Sequence, residues 1–418
     1  MVLTSVTALM LAMVGPVPQA SPKAVREVLA GSRTVANAAW WGFDPENSTA
    51  ALQSAINSGA RKVIVPNMGA EWVIDPVFLA SDQELFLEKG VVIAARPGGF
   101  PGLGDSLLTA DKRRNITIRG YGATLRMQKP EYTQGEWRMC INLGSCANVR
   151  VLGLTLRDSG GDGIYLGNSD PDQPFCRDIE VRDCTFDNHR RQGMSVISAE
   201  GLHVENCVFR NTNGTAPQAG VDLEPNQPNE RLVNCVFRHC RMENNTGPGV
   251  LIYLYNLSKE SEPVSIRFDD CRITSDQGLG IQVAGTRPER QRGEVVFEDC
   301  TVERCKDIGL ALSSWAGHAV AARFRHCVWR DVAFDGSDLP LLLLDWDREV
   351  ERLVGGAEFV RCIIEDELDR PALGVHANVA PRHVGDLHGT LTVRNPSGGR
   401  IDLGPKTRDV TLKVRVPE

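Results

Sequence analysis

The sequence predicts an all-β solenoid, and three observations predict it. A glycine-anchored strand recurs at near-constant intervals, a Cys-x-apolar strand recurs between those, and Gly, Asn and Asp punctuate both. The first set is GIYLG (163–167), GMSVI (193–197), GVDLE (220–224), GVLIY (249–253), GIQVA (280–284) and GLALS (309–313), with opening glycines 30, 27, 29, 31 and 29 residues apart. A period of this length built from short alternating strands marks coils that each add one rung, because a single rung cannot bury its apolar face alone.

The second set runs Cys184-Thr-Phe186, Cys207-Val-Phe209, Cys235-Val-Phe237, Cys271-Arg-Ile273, Cys300-Thr-Val302, Cys327-Val-Trp329 and Cys362-Ile-Ile364. Equivalent positions on stacked rungs lie about 4.8 Å apart, so these seven cysteines are expected to form an internal column of free thiols, good small core groups. Cys140, Cys146, Cys176, Cys240 and Cys305 fall outside that pattern. No CxxC pair suggests zinc, and a thiol column needs no oxidising compartment.

Composition narrows the partners. The chain has 418 residues, 40 Gly, 23 Pro and a 42% hydrophobic fraction, which suit a folded, turn-rich protein. Its net charge of -7, from 46 basic and 53 acidic residues, leaves no basic footprint for nucleic acid. Residues 1–20 form a short apolar stretch without a basic start, read as a signal peptide or a plain N-terminal extension. No stretch is long enough for a membrane span. An extracellular or periplasmic location is the expectation, with the cytoplasm left open.

The leading segment FDPENSTAALQSAINSGARKVIVP carries a helical stripe at Leu52, Ala55 and Ile56, capped by Asn47 or Ser48 and stopped by Gly59. Together with the repeats it resembles the right-handed parallel β-helix of the pectin-lyase-like superfamily, with PbH1-type repeats, over about residues 36–395. That resemblance implies a short N-terminal capping helix and first coils over 36–112, β-helix repeats over 113–395 and capping strands over 396–418. It also implies a carbohydrate-active protein. The chain lacks the paired aspartates followed by Gly-His-Gly of polygalacturonases and the WxDH element of pectate lyases, which argues against pectin.

Alternation assigns the faces of each glycine-anchored strand. Ile164/Leu166, Met194/Val196, Val221/Leu223, Val250/Ile252, Ile281/Val283 and Leu310/Leu312 point inward. Two outward rows follow: Tyr165, Ser195, Asp222, Leu251, Gln282, Ala311, and Gly167, Ile197, Glu224, Tyr253, Ala284, Ser313. Asp222 and Glu224 thus share one outer face, their α-carbons about 6.6–7 Å apart. Ile197 and Tyr253 beside Glu224 predict a raised pKa, and the Ser195 hydroxyl is expected to hold Asp222 ionised.

Asp162, His189, Arg191 and Gln192 reach the same face from the preceding turns. By parity Arg191 faces it and Arg190 does not. One carboxylic acid and one carboxylate are the equipment of glycoside hydrolysis, so Glu224 is assigned as acid, Asp222 as base or nucleophile, and Asp162 as the alternative second carboxylate. Arg191 and His189 would orient substrate, and Tyr165, Gln192, Ser195, Tyr253, Tyr255 and Gln282 would line a groove for a polysaccharide or oligosaccharide.

The resemblance adds a second reading, a uronate lyase or C5-epimerase with His189, Arg191 or Tyr253 in the proton transfer. The third is a non-catalytic glycan binder, with Trp315 and Trp346 as sugar platforms, against a stronger reading of each as core or cap packing. The plain alternative is that outward acids are only solvated. Asp158, Asp162, Asp170 and Asp172 raise calcium, but their spacing matches no calcium loop, so no cofactor is expected.

Overall fold

The computed structural model describes residues 19–286, 291–315, 319–345, 353–376 and 383–417. Pairing is parallel along the stack, from Val35–Asn37 on Lys62–Val65 through Leu353–Glu365 on His383–Arg394. One wall is a sheet of twelve strands that takes one strand from each coil, and the remaining walls merge into a second sheet. The architecture is a parallel β-solenoid of about 12 turns.

The expected inward positions stack in register. Ile164, Met194, Val221, Val250, Ile281 and Leu310 are neighbours rung by rung, and all are buried. Each contributes roughly 1.5–3 kcal/mol by leaving water, which makes the continuous column, not the single coil, the stable unit. Phenylalanines form a parallel column in the second sheet: Phe237 stacks on Phe268 at 4.6 Å, and the series continues through Phe297, Phe324 and Phe359.

The thiol column exists, with one member exchanged. Cys207 neighbours Cys184 and Cys240, Cys240 neighbours Cys271, and the run continues through Cys300, Cys327 and Cys362. Cys235 is not in it; its strand pairs it with Leu202 and Ile266. The Cys-x-apolar unit of that coil is Cys240-Arg-Met242, and Phe237 belongs to the aromatic column instead. Each column cysteine follows a left-handed residue, among them Asn206, His239, Asp270 and Asp299, where the chain bends between strands. There each thiol reaches a carbonyl one coil back, as Cys300 does to Phe268 at 3.5 Å and Cys327 to Phe297 at 3.4 Å. All twelve cysteines are free and buried.

The capping helix α2, Thr49–Ile56, buries Leu52, Ala55 and Ile56. Asn47 Oδ1 accepts from the Thr49 N–H at 3.0 Å, so Asn47 rather than Ser48 supplies the side-chain cap. A helix that the periodicity did not predict, α1 (Pro22–Leu29), precedes it, capped by Ser21 with Pro at its start. Among the described residues no helix is long and apolar enough to cross a membrane.

Candidate functional site

Asp222 lies on the strand Ala219–Leu223, between Ser195 and Leu251 on the adjoining rungs. Its inward neighbours Val221 and Leu223 fix it on the outer side, as alternation requires. The outer rows are nevertheless not open to water: Ser195, Asp222 and Ser313 are fully buried, and Ile197, Leu251, Ala284 and Ala311 nearly so. Upstream, Glu136 and Arg191, from connections outside the sheet, stand against the acids; downstream, Leu342 and Leu344 on the next rung pack with Ala311 and Ile308 in a small apolar cluster.

Arg191 organises what is covered. Its Nε lies 3.4 Å from Glu136 Oε2, its Nη1 3.9 Å from Asp162 Oδ2 and its Nη2 3.9 Å from Glu224 Oε2. Asp222 adds its own attraction to the same guanidinium. Gln192 braces Asp222 from below: Nε2 donates to Asp222 Oδ2 at 2.6 Å, while Oε1 accepts from the Ala219 N–H at 2.9 Å. One cation thus serves four carboxyl groups.

That ratio sets the protonation states. Asp162 is fully buried; burial pushes its pKa to about 7, against the pull of Arg191 and the Ser195 hydroxyl. Burial likewise holds Asp222 well above the usual carboxylate range, with the Glu224 charge adding to the effect and Arg191 opposing it. Glu224 is raised too, mainly by burial, although Arg191 and the Asp222 carboxyl oppose the shift. Burial thus pushes Asp222 towards its protonated form, against the expectation that a neighbouring hydroxyl would hold it ionised. The Ser195 hydroxyl, on the rung beside Asp222, also acts on the Asp162 carboxyl.

Exposure divides the four acids into two kinds. Glu224 and Glu136 keep 26% and 29% of their side chains accessible, whereas Asp162 and Asp222 present no surface. Two partly exposed glutamates therefore flank the guanidinium, with the buried Asp162 and Asp222 beside it.

The sequence of this stack matches the model described as the right handed beta helix region, over residues 114–237 and 139–328. The chain belongs to the right-handed β-helix family. Among curated proteins this β-helix is 25% identical over 203 residues to the uncharacterized YclG of Bacillus subtilis, and 26% identical over 225 residues to the uncharacterized SPbeta prophage-derived YorA of the same organism. The matches cover 41% and 49% of the chain but 34% and 37% of those proteins, so the chain spans about a third of their length. Among solved structures, the A-module of the mannuronan C-5 epimerase AlgE4 of Azotobacter vinelandii aligns with a TM-score of 0.62 at 12% identity, covering 90% of this chain and 100% of that module. A family 28 exopolygalacturonase of Yersinia enterocolitica aligns at 0.56 and 12%, covering 92% and 78%. The tailspike of E. coli bacteriophage HK620 aligns at 0.56 and 14%, covering 88% and 72%. These likenesses establish the β-helix fold.

Other residues predicted for the site fall outside the acid cluster. His189 is fully buried, its Nδ1 2.8 Å from Ser159 Oγ and its ring 6.3 Å from that of Phe186. Burial lowers its pKa to about 3, so it is a neutral packing residue and orients no substrate. Ser195 and Gln192 are buried as well and offer nothing to a sugar directly. Arg190 donates to the Tyr132 and Thr133 carbonyls, as its parity required.

Tyr165 is half-buried on the rung beside Ser195. Tyr253 and Tyr255 stack on each other, ring centres 6.0 Å apart, and Gln282 sits two rungs beyond Asp222. Trp315 is buried, while Trp346 lies outside the described residues. The four aspartates do not converge on a calcium site: Asp158 pairs with Arg157 at 2.7 Å, Asp170 with Lys112 at 3.4 Å, and Asp172 is exposed. Sequence reasoning missed Glu136 and the exposed Trp137 next to it. They sit in the connection between strands Arg114–Arg126 and Ile141–Gly144, outside the repeat that supplied every other candidate.

Proposed function

We propose that this β-helix protein hydrolyses glycosidic bonds. The observation that carries the reading is Glu224, a partly exposed carboxyl with a raised pKa, backed by the buried Asp222 and facing Glu136 across Arg191. A carboxyl held above its usual range can give a proton to a leaving oxygen near neutral pH, and a second carboxylate can activate water or attack the anomeric carbon. Glu224 is the acid in this reading. Glu136, being accessible, takes the second role that the sequence gave to Asp222. Asp222 and Asp162 act behind them as positioning groups whose carboxyls burial holds above the usual range.

Fold likeness to a mannuronan epimerase module, an exopolygalacturonase and a tailspike bound to a pentasaccharide supports a carbohydrate partner. Lyase or epimerase chemistry is less well supported, because His189, one of the three groups assigned to its proton transfer, is buried. A polymeric substrate also favours work outside the cytoplasm.

The deciding experiment incubates the protein with a polysaccharide panel and reads reducing ends and ultraviolet absorbance together. Hydrolysis gives reducing ends alone. Absorbance from a new conjugated double bond would replace the hydrolase by a lyase, and saturable binding without either product would make the protein a binder.

A further inference from the structure

Arg190 and Arg191 are neighbours on one turn of the wall, and both reach the connection 127–140 that joins strands Arg114–Arg126 and Ile141–Gly144. Arg191 meets the Glu136 carboxylate, its Nε 3.4 Å from Oε2. Arg190 meets the same connection upstream of Glu136: Nη1 donates to the Tyr132 carbonyl, and Nη2 donates to the Thr133 carbonyl at 3.2 Å. Its Nε donates to Thr215 Oγ1 at 2.9 Å. The guanidinium is thus anchored on the following coil while its fork holds two successive main-chain carbonyls, a task that suits a planar group with donors in fixed directions.

The seat of the connection is built for close approach. A Cβ on Gly161 would stand 2.3 Å from the Glu136 carbonyl oxygen, and one on Gly160 would stand 2.4 Å from the Tyr132 ring. Only residues without a side chain let the two segments meet at that distance. Lys129 ties the upstream end, donating to Asn188 Oδ1, the His189 carbonyl and Asn213 Oδ1 at 2.9, 3.0 and 3.1 Å. Arg138 ties the downstream end, donating to the Gln134 carbonyl at 2.7 Å and the Phe100 carbonyl at 3.0 Å, with its guanidinium 5.1 Å from the centre of the Tyr132 ring. Lys129 and Arg138 belong to the connection itself. Arg190 comes from the turn that carries Arg191, so it fixes the connection relative to the very group that Glu136 meets.

We infer that Arg190 is a positioning residue of the site: by holding the Tyr132 and Thr133 carbonyls it sets Glu136 against Arg191. The inference rests on the hydrolase reading for what Glu136 does, and it adds what places that carboxyl. Arg190 acts only through Glu136.

Arg190→Met, which keeps the aliphatic stem and removes the fork, tests it beside Arg190→Lys, both as full chains. Hydrogen exchange reads the connection directly. Amides of residues 132–140 should exchange roughly tenfold or more faster in Arg190→Met, with the core strands unchanged, and less so in Arg190→Lys. Reducing-end release on a glycan that wild type cleaves reads the consequence. It should fall about a hundredfold in Arg190→Met, the cost of a small misplacement at a reacting centre, and recover in part with Lys. The alkaline limb of its pH profile should move to lower pH, because Glu136, together with burial and against Arg191 and Asp222, holds the Glu224 carboxyl up. A mere loss of folded protein would lower the plateau and leave that limb in place.

Unchanged exchange over 132–140 in folded Arg190→Met overturns the inference. So does faster exchange with both release and the alkaline limb as in wild type. Should Arg190→Met not fold, Thr215→Val, which removes only the anchor of the fork, carries both measurements with smaller changes expected in the same direction, and no change in either overturns the inference. If wild type cleaves no glycan, the hydrolase reading alone fails, and the exchange result still decides whether Arg190 holds the connection.

Discussion

Gln192 Nε2 donates to Asp222 Oδ2 at 2.6 Å while its Oε1 accepts from the Ala219 N–H at 2.9 Å. One amide therefore ties a buried acid to the main chain of the acid's own strand. Gln192→Leu strips Asp222 of that donor and is expected to cost about 1–3 kcal/mol by urea unfolding. Asp222→Asn resembles the protonated acid and should stay within about 1 kcal/mol of wild type; a loss as large as that of Gln192→Leu would mean that Asp222 is ionised.

Asp162 makes stability depend on pH. Its folded pKa of about 7 stands above the ordinary value of 3.8, so the folded state binds a proton that the unfolded chain releases. The stabilisation is fully present below about pH 4 and is lost as pH rises through about 7. Relative to wild type, Asp162→Asn should gain roughly 1.4 kcal/mol per pH unit across that window, reaching about 4 kcal/mol. Parallel stability curves for the two proteins between pH 4 and 8 would show instead that Asp162 is ionised throughout.

The opposite sign applies to His189. Its folded pKa of about 3 lies below the ordinary 6.5, so stability falls as pH drops from about 6.5 towards 3, where the unfolded chain takes up a proton that the fold refuses. His189→Gln removes that acid limb. Turnover on a cleaved glycan should stay within roughly threefold of wild type, since truncations that matter to proton transfer cost about a hundredfold or more. A loss of that size in a folded variant would return His189 to the chemistry.

Thiol chemistry checks the column. All twelve cysteines are buried, and buried structural thiols are inert. An aromatic disulfide reagent should find no reactive thiol in the native protein and twelve after unfolding in guanidinium. Any thiol that reacts at once with the native chain would contradict the packing described.

What the sequence revealed follows from where the information is periodic. Glycine spacing near thirty placed Ile164, Met194 and Val221 one above another, because rung geometry converts a text period directly into contact. The same logic misplaced Cys235, since two Cys-x-apolar strands, 235–237 and 240–242, compete within one coil and only strand pairing separates them. Alternation put Asp222 on the outer side but could not reveal that it is covered, for burial there depends on connections between strands. Those connections obey no period, which is why Glu136 went unseen and why His189, carried on a turn, was placed on the wrong side of the wall.

The central claim is that two accessible glutamates flanking Arg191 perform the chemistry. Its most direct measurement is reducing-end release by wild type, Glu224→Gln and Glu136→Gln on the same glycan, with melting temperatures matched. The account predicts that each variant melts within a few degrees of wild type and loses activity by roughly a hundredfold to ten-thousandfold. Full activity in both folded variants would contradict it.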